Sequence, residues 1–580
     1  MNKIYLVIVD TTQIQPYVFG SNRLRENVGA SHLVAQATGE WALQTVNSVA
    51  TANNINNIQT GTLDNDKWIE RNGLDAEILY AGGGNTVVLF RDETGATNFI
   101  KKLSRKALTD APNLQLVIEC LPLDWENGSL VTKIDEGFKE LARQKRSRSA
   151  SAPLLGLGVS MMCQSTGLPV AGIAQPIPTD PTSFYPASAE ILAKLRATDK
   201  ANKRLEEMFA DVLTNSYEFP RELDELGRTS GDYSYIAVVH ADGDGMGKRI
   251  QQIGSNYRQA DANGSYSQQN RNYITALRKF SVAVEKSAKK ALIGALTTLK
   301  LSINTQGEIT HSNPSVAECD SGPAPIKLRL GNYKYTLPVR PIVFGGDDLT
   351  FICDGRIGLT LALEYVKKFA QETGQNTDCG RLTACAGVAM VKSHYPFARA
   401  YSLAENLCRS AKQYRREIAD DWDGACIDWH FALSGLAGDI KEIREREYMV
   451  QGNRLFLRPV TLEANPTNEN FRSWNVVREA IKSFQGEEWS TKRNKVKALR
   501  DALREGDEAV QHFRTMFSLA NLPDLGSDEL NDFRDKGWRG WSNTGGGICG
   551  YFDAIEAMDW FMLLEGGEAD ENGDTPEAHQ

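Results

Sequence analysis

Two stretches decide the fold: Tyr235-Ile236-Ala237-Val238-Val239-His240-Ala241-Asp242-Gly243-Asp244 and Pro341-Ile342-Val343-Phe344-Gly345-Gly346-Asp347-Asp348-Leu349-Thr350-Phe351-Ile352. In the first, a continuously apolar, β-branched run suits a strand buried on both faces, and it stops at an acidic, glycine-rich turn with Asp242 at its end. In the second, two short apolar runs flank glycines that permit a tight hairpin, lifting Asp347 and Asp348 to the rim of a sheet. If the strands are neighbours, three carboxylates from remote parts of the chain share one small volume, and that crowding is costly without a cation. Magnesium takes one or two protein carboxylates plus substrate phosphates, and two such ions roughly 3.5–4 Å apart can hold both attacking and leaving oxygens. The pairing therefore reads as a site for nucleotidyl transfer, with Asp242, Asp347 and Asp348 as candidate catalytic and metal-holding residues. Gly345 and Gly346 would let triphosphate oxygens approach the backbone.

The chain has 580 residues, long enough for three or four domains at about 150 residues each, and its 41% apolar content supports substantial cores. A net charge of −9 argues against a surface broadly adapted to coat nucleic acid, so any such binding requires a local groove. Nine cysteines are scattered with no CxxC pair, the closest being Cys379 and Cys385, which points to free thiols rather than a zinc ribbon or disulfide framework. The apolar run 4–9 is too short for a signal-peptide core, and nothing approaches the ~20 apolar residues that span a bilayer. A cytoplasmic protein without a membrane segment is expected.

A weak internal repeat organises the chain. Ile4-Tyr5-Leu6-Val7-Ile8-Val9-Asp10 matches the strand leading to Asp242, and Ile78-Leu79-Tyr80-Ala81-Gly82-Gly83-Gly84-Asn85-Thr86-Val87-Val88 matches the acidic hairpin. A third correspondence pairs Gly158-Val159-Ser160-Met161-Met162 with Gly387-Val388-Ala389-Met390-Val391. Two copies of one α/β unit follow. The first has Gly84 and Asn85 where the second has Asp347 and Asp348, so it should be catalytically silent; whether it binds nucleotide, shapes half of a shared site or only packs stays open.

The expected fold is α+β: two ferredoxin-like palm domains in tandem, a helical connector and a mainly helical C-terminal domain. The boundaries fall at 1–170 for the first palm, 171–230 for the connector, 231–435 for the second palm, 436–564 for the helical domain and 565–580 for an acidic tail too polar to fold. Helical periodicity covers 191–212, 270–299 and, beyond the second palm, 475–484, 491–520 and 551–564. Trp538 and Trp541 read as core anchors and Gly545-Gly546-Gly547 as a loop. The basic run Arg143-Gln144-Lys145-Arg146-Ser147-Arg148 reads as a solvated helix end, with phosphate contact as the alternative. Gly245-Met246-Gly247-Lys248-Arg249 superficially suggests a phosphate-binding loop, but the spacing is short and no Ser or Thr follows the lysine. Lys248 instead opens the helix after the metal strand, where amides and a cation could hold triphosphate. Lys412, on an amphipathic helix, could point at the same phosphates.

With Ala241-Asp242-Gly243-Asp244-Gly245-Met246-Gly247-Lys248, Gly345-Gly346-Asp347-Asp348, Gly387-Val388-Ala389 through His394-Tyr395-Pro396-Phe397, and the Ala404-Glu405 to Ala411-Lys412 helix, the sequence resembles the large polymerase-cyclase subunit of type III CRISPR effector complexes over roughly 1–435. It is more distantly similar to GGDEF diguanylate cyclases. Gln15 to Phe19, Arg23-Leu24-Arg25 and Gly29-Ala30-Ser31 look like that family's first palm. The resemblance implies palms that bind two ATP molecules at their interface, with Mg²⁺ or Mn²⁺ held only by the second. By match to the family, Asp242, Asp347 and Asp348 form the acidic metal site, assisted by the Gly243 carbonyl. Lys412 matches a phosphate-binding lysine, and Ser21, Asn22, Arg23 and Arg25 join Gly243, Lys248, Gly345 and Gly346 as nucleotide-binding candidates. Implied partners are nucleoside triphosphates, RNA and CRISPR-type effector subunits, with a homo-oligomer left open. Two departures stand out. The chain starts directly at the first palm, without the His-Asp nuclease domain of many relatives, and only isolated Cys163 and Cys319 remain of a cysteine zinc motif. The expected activity is joining ATP into cyclic or linear oligonucleotide messengers in antiviral defence. The alternatives are a non-catalytic RNA- and protein-binding scaffold and a diguanylate-cyclase-like enzyme using GTP.

Overall fold

A computed structural model of the chain describes residues 3–71, 73–147, 158–175, 181–226, 235–312, 323–331, 333–419, 422–432, 438–467, 469–486, 489, 493–541 and 546–564. The tail 565–580, Cys319, Arg148, Gly545 and part of the segment around Pro176 lie outside them.

The first half opens with β1 (Ile4–Thr12), α1 (Ile14–Phe19), α2 (Leu24–Thr38) and α3 (Glu40–Val49). The hairpin β2 (Ala76–Gly82) and β3 (Asn85–Phe90) follows, then α4 (Glu93–Asp110), β4 (Gln115–Leu123) and α5 (Leu130–Ser147). The sheet runs β2-β3-β1-β4 with every neighbouring pair antiparallel, which is the ferredoxin-like order. Helix α6 (Ala189–Met208) connects to the second half and packs along α2.

The second half repeats the plan with β5 (Tyr235–Gly243), α7 (Met246–Ser255), α8 (Ser267–Leu301), β6 (Val339–Gly345), β7 (Asp348–Asp354), α9 (Gly358–Gly374), β8 (Ala384–Lys392) and α10 (Phe397–Ile418). Strand β9 (Cys426–Ala432), parallel to β8, and the short β10 (Val460–Thr461) extend the sheet to the order β6-β7-β5-β8-β9-β10. Along β5, Ala237, Val239 and Ala241 enter one buried cluster and Ile236 and Val238 another. The two-residue period of a strand therefore feeds two cores, which is why the run carries no polar alternation.

The third correspondence in the internal repeat is corrected. The first-half partner of β8 is β4, not the segment at 158–162, where Val159 is 95% and Met161 62% exposed. Strand β4 was hard to see because its residues are mostly half-buried and include Glu119 and Pro122, so it lacks a buried run.

The C-terminal region is helical, with α11 (Trp474–Gln485), α12 (Arg493–Glu505) and α13 (Asp507–Met516), and it shares one core with the second palm. The expected helix 491–520 breaks at Gly506, whose φ is +106°. A small sheet was not anticipated: Met449–Val450 and Asn453–Arg454 join β11 (Trp538–Trp541) and β12 (Gly546–Cys549). Gly546 and Gly547 are thus in a strand rather than a loop, and the last helix, α14 (Phe552–Ala557), is shorter than 551–564. Among the described residues no helix is long and apolar enough to cross a membrane.

The two palms are interlocked by buried charge. Glu77 on β2 is fully buried. Its Oε1 accepts from Arg271 Nη1 at 2.7 Å and Arg278 Nη2 at 2.9 Å, and its Oε2 accepts from Arg271 Nη2 at 2.8 Å and the Ile69 amide at 2.9 Å. Both arginines belong to α8 of the other palm. Counting back from the two hairpins, the second palm has Arg340 where the first has Glu77; Arg340 is buried, donating to Asn202 Oδ1 on α6 at 2.6 Å and to the Pro220 carbonyl at 3.2 Å. Each edge strand is clamped from outside its own palm.

Candidate functional site

β5 is flanked by β7 and β8, so both sides of its carboxyl end are fixed by hydrogen-bonded neighbours. Asp242 and Asp348 face each other directly across the β5–β7 ladder. The hairpin closes between Gly345 and Asp348, leaving Gly346, at φ +61°, and Asp347 as its two loop residues. The Gly243 amide donates to the Asp347 carbonyl at 3.2 Å, which ties the hairpin tip to the end of β5. Residues about a hundred positions apart are thus brought together as the sequence suggested.

From α10, Lys412 Nζ donates to Asp242 Oδ2 at 2.5 Å and to the Gly243 carbonyl at 2.8 Å. Burial alone would make this ammonium more acidic, but the Asp242 carboxylate outweighs it and the net pKa shift is upward. Burial, and next the charge of Asp242, pushes the Asp347 carboxyl up to about 6. The same two causes, with Asp347 added, push Asp348 up to about 8. Asp348 is divided: Oδ1 is buried without a hydrogen-bond partner, whereas the side chain as a whole is 49% exposed. Water reaching the outer oxygen moderates the effect of burial, so the upward direction is what matters at Asp348.

Three neighbours escaped sequence reading. Tyr365 on α9 is buried with an unpartnered hydroxyl, and burial followed by the fields of Asp347, Asp348 and Asp242 suppresses its ionisation. His240 Nδ1 lies 3.1 Å from Thr350 Oγ1, and burial lowers its basicity so that it stays neutral. Tyr401 on α10 stacks on Phe19 of the first palm with ring centroids 3.7 Å apart. Only spacing in three dimensions reveals these residues.

The other candidates fall elsewhere. Asn22 Oδ1 accepts from the Phe397 amide at 2.8 Å and so holds the start of α10. Ser21 donates to Glu26 at 2.5 Å, Arg23 lies 3.9 Å from the Tyr185 ring, and Arg25 pairs with Glu222. These four residues bind protein groups around the first palm's helices rather than the three carboxylates. Lys248 is exposed on the first turn of α7.

The first palm holds a neutral replica. Asp10 faces Asn85 across β1 and β3, as Asp242 faces Asp348. Lys145 Nζ on α5 donates to Asp10 Oδ2 at 2.6 Å and reaches the Thr11 carbonyl at 3.4 Å, and the Thr11 amide donates to the Gly84 carbonyl at 3.0 Å. Lys145 is thus not merely a solvated helix end. The two glycine hairpins also meet, since a Cβ built on Gly345 would lie 3.7 Å from the Gly83 Cα.

Among the described residues no group of three or more His, Cys, Asp or Glu side chains is gathered closely enough to hold a metal ion by itself. What is present suits an open site: the facing carboxylates of Asp242 and Asp348, the latter with an orphaned buried oxygen, the Gly243 carbonyl, and Asp347 at the hairpin tip. A hard cation that keeps most of its coordination for water and phosphate fits that set.

Residues 235–419 match the family model described as Cas10/Cmr2, second palm domain. The second half carries a Cas10-type palm. Several solved structures are similar to the chain as a whole. One is the Csm1–Csm4 cassette in complex with cA3, at 11% identity over 96% of this chain and 69% of that one, with a TM-score of 0.49. Csm1 in T. onnurineus aligns at 11% identity over 97% and 70%, with a TM-score of 0.46. The cassette in complex with cA4 gives 11%, 96% and 69%, with a TM-score of 0.47. No curated protein matches the chain.

Two expected results follow from the geometry of the Cas10-type palm. A Cβ at Gly243 would fall 2.7 Å from both Cβ and Oδ2 of Asp347. Gly243→Ala should therefore displace Asp347 and, if the three carboxylates act together in catalysis, lower the rate about 100-fold or more, with an unchanged far-ultraviolet circular dichroism spectrum. The second result concerns pH. Because Asp347 and Asp348 hold protons more tightly in the folded chain than in the unfolded one, they favour folding fully below the ordinary carboxylate range. That contribution is lost as pH rises through about 6 and towards about 8. In chelator-treated protein the thermal midpoint of Asp348→Asn should gain on wild type as pH rises over this window, and Mg²⁺ should narrow the gap by stabilising the wild type. A gap independent of pH would contradict the assignment.

Proposed function

We propose that the chain is a divalent-cation-dependent nucleotidyltransferase that joins ATP into cyclic or linear oligonucleotide messengers, working with RNA and partner subunits of a CRISPR-type effector. The observation that carries this reading is the facing pair Asp242 and Asp348, with Asp347 beside them, on a Cas10-type palm whose glycine hairpin abuts that of a second palm. Asp242, Asp347, Asp348 and the Gly243 carbonyl would hold the ion. When bound, a divalent ion supplies positive charge against the triphosphate and raises the acidity of the attacking ribose hydroxyl. Lys412, already beside Asp242, is placed to neutralise phosphate charge as it arrives. The glycines at the hairpin leave the backbone accessible to phosphate oxygens. Attack of a 3′-hydroxyl on the α-phosphorus of a second nucleotide forms the phosphodiester bond and releases pyrophosphate, so no protein nucleophile is required.

Purified protein incubated with mixed nucleoside triphosphates and Mg²⁺ or Mn²⁺, with and without RNA, should release pyrophosphate and yield a phosphodiester product. Mass analysis of that product distinguishes ATP from GTP use and cyclic from linear linkage. Absence of pyrophosphate under every condition would argue for a non-catalytic scaffold. One observation favours that second reading: Lys412 already occupies oxygens of Asp242 and Gly243 that a cation would share. RNA co-purifying with a chain that turns over no nucleotide would support it.

A further inference from the structure

The end of β5 carries a further acidic residue, Asp244, that the three-carboxylate site does not use. Its amide donates to the Thr383 carbonyl at 2.8 Å, so the extended pairing with β8 continues one step past Gly243. Side chains two apart on an extended chain share a face, which puts Asp244 on the side of the sheet where Asp242 meets Lys412. There Asp244 Oδ2 lies 2.9 Å from Arg415 Nη1, and the two side chains are only 4% and 12% exposed. Arg415 stands one turn after Lys412 on α10. Its Nη2 donates to the Trp422 carbonyl, and its Nε is buried without a partner. Two cations one turn apart on a helix are thus matched to two carboxylates two apart at a strand end.

The charges on this side of the sheet show what the second match does. With their carboxyls ionised, Asp242, Asp347 and Asp348 outweigh Lys412 by two formal charges, and the Asp244–Arg415 pair adds none. The flanking charges are spoken for or in water: Arg381 pairs with Asp423 and Glu463, Arg409 pairs with Glu405, Arg249 donates to the Arg381 carbonyl at 3.3 Å, and Arg416 and Glu417 are exposed and opposite in sign. A guanidinium does not shed its proton. A chain without the Asp244 charge would therefore keep an unbalanced cation, mostly out of water, roughly 7 Å along the strand from Asp242, where it would oppose a divalent ion. The next carboxylate on that face of the strand is Asp242 itself. The first palm keeps Asp10 and Lys145 but has Thr12 in place of Asp244, so this acid is absent where the hairpin acids are absent too.

We infer that Asp244 is a positioning residue of the cation site: buried against Arg415, it takes no ion itself but holds and neutralises that guanidinium, keeping its charge off Asp242 and the Gly243 carbonyl. The inference rests on the reading of Asp242, Asp347 and Asp348 as a divalent-cation site.

Mn²⁺ binding to the full chain without nucleotide, followed by the electron paramagnetic resonance of the free ion, tests this. Asp244→Asn keeps the shape and an acceptor oxygen while removing the charge, and should weaken Mn²⁺ binding about tenfold or more. Arg415→Gln removes the opposing cation and should bind Mn²⁺ at least as tightly as wild type. The two changes together should bring affinity back to within about threefold of wild type, because the charge that Asp244 neutralised is gone. A pair that merely fastened β5 to α10 would leave the double variant as weak as the weaker single one, and that result overturns the inference. So does wild-type affinity in Asp244→Asn, or weakened binding in Arg415→Gln, the variant that decides the matter should Asp244→Asn fail to fold. A wild-type chain that takes up no Mn²⁺ removes the cation site and this inference with it, whereas a failure confined to the Asp244 and Arg415 variants strikes the inference alone.

Discussion

Replacing Asp347 and Asp348 together by alanine should abolish oligonucleotide formation, by a factor of about 1,000 or more given the several kcal/mol that metal-based charge stabilisation contributes, without lowering the thermal midpoint. The two halves of this expectation come from one fact. Burial and the Asp242 charge raise both carboxyls above their ordinary range, so in the absence of a cation each is a source of strain rather than of stability. Removing them relieves repulsion and removes a buried Asp348 oxygen that has no hydrogen-bond partner. An ordinary destabilising core mutation would lose product and midpoint together. Product assayed by pyrophosphate release, read beside a melting curve in metal-free buffer, separates the cases. A double variant that still turns over nucleotide would remove these residues from the chemistry, whatever its stability.

The second large effect is structural. Glu77→Ala should destabilise the chain by about 3–5 kcal/mol, because it leaves two guanidiniums buried without their shared counter-charge. Arg271 retains Glu70 at 2.5 Å, but among the described residues Arg278 keeps the carbonyls of Ile78 and Leu79 and no paired carboxylate. Glu77→Gln should recover part of the loss, since an amide oxygen can still accept from one arginine. Because Glu77 joins β2 of one palm to α8 of the other, the loss should appear in chemical denaturation as a lower midpoint for the palms as a unit. A variant within about 0.5 kcal/mol of wild type would show that the clamp carries little of the interface.

How much of this was legible depended on whether a residue's role is set locally. The strand ending at Asp242 and the hairpin bearing Asp347 and Asp348 could be read because a buried-both-faces run and a glycine turn each have a signature within ten residues. The long helix at Ser267–Leu301 was readable by its period for the same reason. Strand β4 was missed because half-burial blurs both the two-residue alternation and the buried run. The strands beyond β12 were missed because two-residue elements such as Asn453–Arg454 fall below any window. Lys145, Tyr365 and Glu77 acquire their roles from partners far away in sequence, and no spacing rule reaches across the 135 positions from Asp10 to Lys145. Ser21, Asn22, Arg23 and Arg25 entered as nucleotide-binding candidates through the family resemblance alone, and their described contacts are with protein groups.

Asp10 and Lys145 reproduce Asp242 and Lys412 down to the neighbouring carbonyl, so the two halves differ at this locus chiefly by the two uncharged positions Gly84 and Asn85. Seen as a ledger of formal charge, one cleft wall is neutral and the other carries a surplus of two negatives. The strand register and the lysine contacts are alike in the two halves, while the charge they present differs. Whether any architecture of this kind can perform chemistry is written in side chains that a superposition of main chains does not register.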